Sequence, residues 1–93
     1  MTDTAVKMLT MRSWRRGMRE MDLLLGPFAE AELPAMPPRE RDAYAALLEE
    51  NDQDLYAWVI AASGGGTGSP APAEYAPLID RIAAAAAARL AKS

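Results

Sequence analysis

The sequence predicts an all-α protein, a small compact five-helix domain, and three observations carry that expectation. Apolar residues recur at helical spacing, as in Met18, Met21, Leu25 and Phe28. No stretch alternates convincingly at period two. Glycine and proline gather at 26–27, 34–38 and 64–72, which divides the 93 residues into helix-length segments. The length fits one domain with a small core, expected over 9–91 and preceded by a flexible arm at 1–8.

Taken in order, the first helix is expected from about Leu9 to Arg16, with Gly17 as its break. The second runs from Met18 toward Ala31, and Glu20 and Asp22 sit in its first turns where acids favour the positive dipole end. Pro27 cannot donate to the Leu23 carbonyl, so a kink is expected there, with a full stop at Gly26 as the alternative. Residues 33–38 form a linker, and Pro37 or Pro38 opens the third helix, where a missing N–H costs nothing. That helix extends to about Glu50, with Ala43, Tyr44, Leu47 and Leu48 inward and Glu40, Arg41, Glu49 and Glu50 toward water. Asp52 is expected to cap the fourth helix through the amide of Asp54 or Leu55. Leu55, Tyr56, Val59 and Ile60 then face the core, with Trp58 at its edge. A flexible loop occupies 63–73. The last helix begins between Glu74 and Pro77, ends near Leu90, and is anchored by Leu78, Ile79, Ile82 and Leu90. A start near Ala76 keeps Pro77 out of the helix interior.

The net charge of −3 hides an asymmetry. Through residue 19 there are five bases and one acid; beyond it, five bases and twelve acids. Such a chain docks its basic end on an acidic partner surface. The absence of cysteine and histidine removes disulfides, thiolate chemistry, the usual zinc sites and the side chain that titrates near neutrality. The paired carboxylates Glu49–Glu50 and Asp52–Asp54 lie at a helix end and a turn, where capping and solubility explain them. The glycine cluster lacks a Walker lysine. Catalysis by this chain alone is therefore not expected. Residues 1–7 lack a signal-peptide core, and the 83–88 alanine run is too short to span a membrane, so a cytoplasmic location is expected.

What remains is an interaction module. Its candidate partner-binding residues are Arg12, Arg15, Arg16, Gly17, Arg19 and Glu20 at the corner between the first two helices. Arginine suits bidentate contact with carboxylates, and glycine permits close approach. A generic helical adaptor, or a weak nucleic-acid binder using Arg12, Arg15, Arg16 and Arg19, is the alternative; the acidic remainder argues against a large nucleic-acid face.

Arg16-Gly17-Met18-Arg19-Glu20 matches the RGxxE signature of the SdhE family of FAD assembly factors. The continuation Met21 to Phe28 resembles that family's second helix. Leu47-Leu48-Glu49 followed by Asp52-Gln53-Asp54-Leu55-Tyr56-Ala57-Trp58 resembles its LLE…D-x-DL-x-x-W segment. The resemblance implies a chaperone-like partner of the succinate dehydrogenase flavoprotein subunit, with fumarate reductase as a related client. It implies that the client carries FAD, covalently, on its own histidine, and that this chain holds no tight cofactor. Arg16, Gly17 and Glu20 fall on the motif's defining positions, with Arg16 expected at the partner near its FAD site. Glu20 either meets the partner or braces Arg16 or Arg19. Asp52 and Asp54 join the partner-binding set through the second segment, while Leu55 and Trp58 mix packing and surface roles. No nucleic-acid partner is implied, and a monomer is expected when the protein is free. The 63–73 loop and the alanine-rich tail carry no family motif.

Overall fold

The computed structural model describes residues 4–91. It is all-α, with five helices among the described residues: α1 (Thr4–Trp14), α2 (Arg19–Glu32), α3 (Pro38–Leu47), α4 (Asp52–Ala62) and α5 (Ala76–Ala91). The contacts gather into two compact units, one reaching to Asp52 and one starting at Gln53.

In the first unit α1 packs on α2. It starts at Thr4, inside the segment expected as an arm, and ends at Trp14, two residues short of the expected end. The first three residues of that arm lie outside the described residues. Two hydroxyls fold back onto the helix: Thr10 Oγ1 donates to the Val6 carbonyl and Ser13 Oγ to the Leu9 carbonyl, each at 2.8 Å. Residue 18 is extended, and α2 begins at Arg19. Met21, Leu25 and Phe28 are fully buried on the predicted stripe. The helix runs through Gly26–Pro27 without stopping, so the alternative of a break at Gly26 does not occur. Gly26 is buried because the Trp14 indole lies on it; a Cβ there would enter the ring. Trp14 Nε1 donates to Glu30 Oε2 at 2.8 Å, which fixes the indole in place.

A 3-10 turn, Leu33–Ala35, fills the predicted linker, and Pro38 opens α3 as its first residue. α3 ends at Leu47, and tight turns carry the chain through Leu48, Glu49 and Glu50. Only Glu49 of the four charged residues expected in water is fully exposed. Arg41 turns back instead, and its Nε donates to the Met36 carbonyl at 2.9 Å. Tyr44 is the largest fully buried side chain among the described residues. Its ring stacks on Phe28 at 5.9 Å, and its hydroxyl lies 2.6 Å from Ser13 Oγ. Ser13, the one buried polar residue among those described, thus ties α1 to α3 with no unsatisfied group. Burial pushes the Tyr44 hydroxyl up from 10.0 to about 12, against the Ser13 hydrogen bond and the Arg16 charge.

In the second unit, Leu55 and Val59 of α4 are buried, and Tyr56 and Ile60 are half-buried beside them. Gly64, at φ +87°, closes α4 in a Schellman motif. Its N–H bonds the Ala61 carbonyl at 3.0 Å, and the Gly65 N–H bonds that of Ile60 at 2.8 Å. Gly68 then lies so close to α4 that a Cβ would strike the Ala57 and Ala61 backbone, and the Ser69 N–H reaches the Ala57 carbonyl at 3.1 Å. The 63–73 segment, expected as a flexible loop, is stitched to its own helix over its first half. Tyr75 is buried and stacks on the half-buried Trp58 at 5.8 Å. α5 starts at Ala76 with Pro77 in its first turn, where no N–H is needed. Leu78, Ile79 and Ile82 are buried as expected. Leu90 is 76 % exposed and anchors nothing, because the alanine run leaves it about two turns beyond the last buried residue, Ala83.

Two stability measurements check this packing. Gly26→Ala is expected to lower stability by roughly 1–2 kcal/mol, since overpacking against Trp14 outweighs the gain in helix propensity. In a Trp14→Ala background the same change becomes neutral or stabilising, and thermal melts followed by circular dichroism read the reversal. For Tyr44, the unfolded chain loses its phenol proton near pH 10 and the folded chain only near 12. The unfolded state therefore binds fewer protons across that window. Stability present below pH 10 falls as pH rises to 12, by up to about 2–3 kcal/mol. Urea midpoints should show a shallower decline over that window for Tyr44→Phe than for the parent protein.

Candidate functional site

The candidate site is the corner at residues 15–18, between the end of α1 and the start of α2. Four non-helical residues leave the chain free to turn, and one side chain holds the turn in shape. Arg16 Nε donates to Asp52 Oδ1 at 2.7 Å. Its other nitrogens donate to the carbonyls of Leu48, at 2.5 Å, and Glu50, at 2.9 Å. These carbonyls lie just past α3, where the helix has run out of its own donors and its dipole end is negative. The Arg16 amide donates to Asp22 Oδ1 at 2.6 Å, so an acid of α2 reaches back to cap the corner. The Gly17 amide donates to Asp52 Oδ2 at 3.1 Å.

Asp52 therefore holds Arg16 with one oxygen and Gly17 with the other. The sequence assigned it to the cap of α4; the structure turns its side chain to the corner instead. With side chains only 12 % and 19 % exposed, Arg16 and Asp52 form a pair screened from water and braced by additional hydrogen bonds. Arg16, expected as a hand extended to the partner, has its guanidinium occupied within the fold.

The other predicted residues divide cleanly. Arg15, Gly17, Arg19 and Glu20 are exposed along the corner. Among the described residues the Arg15, Arg19 and Glu20 side chains make no hydrogen bond or ion pair, so Glu20 does not brace Arg16 or Arg19. Asp22 and Asp52 do that work. Arg12 is exposed and pairs with Glu49 on the surface. Asp54 is exposed in the second unit. Gly17 does not have a positive φ, and a Cβ there would meet nothing nearer than Asp52 Oδ2 at 3.7 Å. The fold itself thus has room for a side chain at Gly17.

Asp22, Glu49 and the Leu48 and Glu50 carbonyls were missed by sequence reasoning. The carbonyls have no side-chain signature, and Asp22 was assigned to the helix dipole alone. Among the described residues there is no cluster of acids suited to a metal ion, and no helix is long and apolar enough to cross a membrane.

A family model described as Sdh5, flavinator of succinate dehydrogenase, matches residues 7–86. Among curated proteins, the chain is 39 % identical over 70 residues to the FAD assembly factor SdhE of Vibrio cholerae serotype O1, covering 75 % of this chain and 76 % of that protein. It is 36 % identical over 70 residues to the FAD assembly factor SdhE of Photobacterium profundum, covering 75 % and 74 %. It is 41 % identical over 58 residues to the mitochondrial succinate dehydrogenase assembly factor 2 of Komagataella phaffii, covering 62 % of this chain and 30 % of that protein. No solved structure matches the chain.

The Arg16–Asp52 pair makes a prediction of its own. Asp52→Ala leaves a half-buried guanidinium without its carboxylate and is expected to cost about 2–3 kcal/mol. Asp52→Asn should cost nearly as much, because an amide N–H₂ would face a donor on one side or the other. Glu49→Gln, which removes only an exposed pair, should stay within about 0.5 kcal/mol. Urea unfolding of the three variants checks the order.

Proposed function

The chain belongs to the Sdh5 family, the flavinators of succinate dehydrogenase, and from that membership we infer that it binds the flavoprotein subunit through the corner at Gly17. It is an assembly factor for flavinylation of that subunit and not itself an enzyme. With no histidine and no cysteine in the chain, the residue that joins FAD is the client's own. Three surface cavities among the described residues, of about 220, 250 and 370 Å³, are small and open. In this reading FAD sits in the client, and this chain holds the client's domains in a reactive geometry. Orientation of that kind is worth many powers of ten in rate without any chemical group from the factor.

The observation that carries the reading is the two-sidedness of the corner. Its inner side is fixed by Arg16 and Asp52. Its outer side presents Arg15, Gly17, Arg19 and Glu20 to solvent. Nothing inside the fold requires glycine at 17, so the need for a bare backbone there comes from outside, from a surface that approaches closely. Arg15 and Arg19 meet acids on that surface, and Glu20 meets a base. Arg12 extends the contact, and Asp54, in the second unit, is proposed separately to meet the client. The free protein is a monomer in this reading, it works in the cytoplasm, and the fumarate reductase flavoprotein subunit is a second client.

The test is covalent FAD incorporation into a co-expressed succinate dehydrogenase flavoprotein subunit, read as in-gel flavin fluorescence. Gly17→Arg should fall to the level seen without the factor. Its thermal stability should stay within about 0.5 kcal/mol of the parent, as for an unstrained surface change. Equal fluorescence with wild type, Gly17→Arg and no factor would remove the assignment of function to this corner.

A further inference from the structure

α1 carries two stripes. Leu9 and Ser13 face the core. Met8 and Met11, on the side away from them, are 59 % and 48 % exposed. Two large apolar side chains close together on a helix's solvent face leave apolar area open to a partner, and methionine adapts its shape to whatever covers it. Cations frame the pair: Lys7, Arg12 and Arg15 lie along the same exposed side, and α1 contains no acid. The Lys7 and Arg15 side chains have no ion-pair partner among the described residues. Arg12 is held only by the exposed Glu49, a pair weak enough to be exchanged.

The surface on either side of the stripe is concave. A cavity of about 370 Å³ runs between α1 and α3, lined by Met8, Arg12, Pro38, Arg41, Asp42 and Ala45 among others. A second, of about 250 Å³, is lined by Met11, Arg12, Arg15 and Arg16. Arg15 belongs to this second cavity and lies two residues before Gly17, exposed in the same corner. A partner seated on the corner therefore reaches Met11 by passing over Arg15.

Resting on the reading that the flavoprotein subunit docks at Gly17, we propose that the solvent face of α1 is a second contact surface for the same subunit. It receives a patch with an apolar centre and acidic residues around it. The apolar centre covers Met8 and Met11, and the acids meet Lys7, Arg12 and Arg15. Continuity with the Gly17 corner through Arg15 favours the client over a second copy of this chain, whose own acidic remainder is the competing occupant.

The experiment measures binding of the apo flavoprotein subunit to the full-length protein by biolayer interferometry, at low and high salt. Met8→Glu/Met11→Glu is expected to weaken binding about tenfold or more, as loss of a buried apolar anchor facing acids does. Met8→Leu/Met11→Leu should keep affinity near the parent value. Arg15→Gln should flatten the salt dependence. Far-UV circular dichroism confirms folding, which exposed helix positions that accept glutamate should leave intact. Unchanged affinity of the double glutamate variant, with Gly17→Arg still weakened, overturns this proposal and leaves the corner reading standing. Failure of the parent protein to bind overturns both. A dimer of the free protein in sedimentation that the double glutamate variant abolishes assigns the stripe to a second copy and likewise overturns the proposal.

Discussion

One guanidinium organises the first unit. Arg16 collects a carboxylate and two carbonyls from the stretch that follows α3, and its own amide is held by Asp22 of α2. Two stretches far apart in sequence, the corner at 15–18 and residues 48–52, are thereby fixed to one another through one planar group. Lysine does not substitute for it, because a single ammonium cannot present donors in a fixed fork. The charge is screened from water, yet each of its contacts is a charge-assisted hydrogen bond, the arrangement in which removal of a partner is costly.

The other ties in this unit act on α1. Ser13 meets Tyr44 of α3, and Trp14 closes over Gly26 of α2 and bonds Glu30. Each occupies the last turn of α1, directly before the corner. The position of Gly17 therefore follows from packing on one side and from Asp52 on the other, and the exposed arginines around it project from a base with little freedom. A surface held in this way has less conformational entropy left to lose in any contact it makes.

Periodicity was a good guide wherever a side chain's role depends on its neighbours along the helix. Met21, Leu25, Phe28, Tyr44, Leu47, Leu55, Val59 and Ile79 are all buried on the predicted faces. It failed for Leu90, which keeps the helical spacing but has run past the packed part of α5. The motif at 16–20 located the corner, but four arginines close together look alike in sequence. What separates Arg16 from Arg15 and Arg19 is a set of acceptors 32 to 36 residues away. Asp52 read as a helix cap because local rules assign an acid at a helix start to its own amides. Trp14 and Gly26 complement each other through space, and neither residue on its own predicts the other. The family motifs identified the role that composition and spacing left open between adaptor and nucleic-acid binder.

The two tryptophans fall one to each unit, Trp14 in the first and Trp58 in the second, and their surroundings differ. Trp14 is partly open to water with its N–H on a carboxylate; Trp58 stacks on a buried tyrosine. The molecule therefore carries a separate optical probe in each half. With either indole replaced by phenylalanine, the remaining emission follows one half alone. Whether the two halves melt as a single cooperative block or in succession becomes readable from light, with no label attached to the surface.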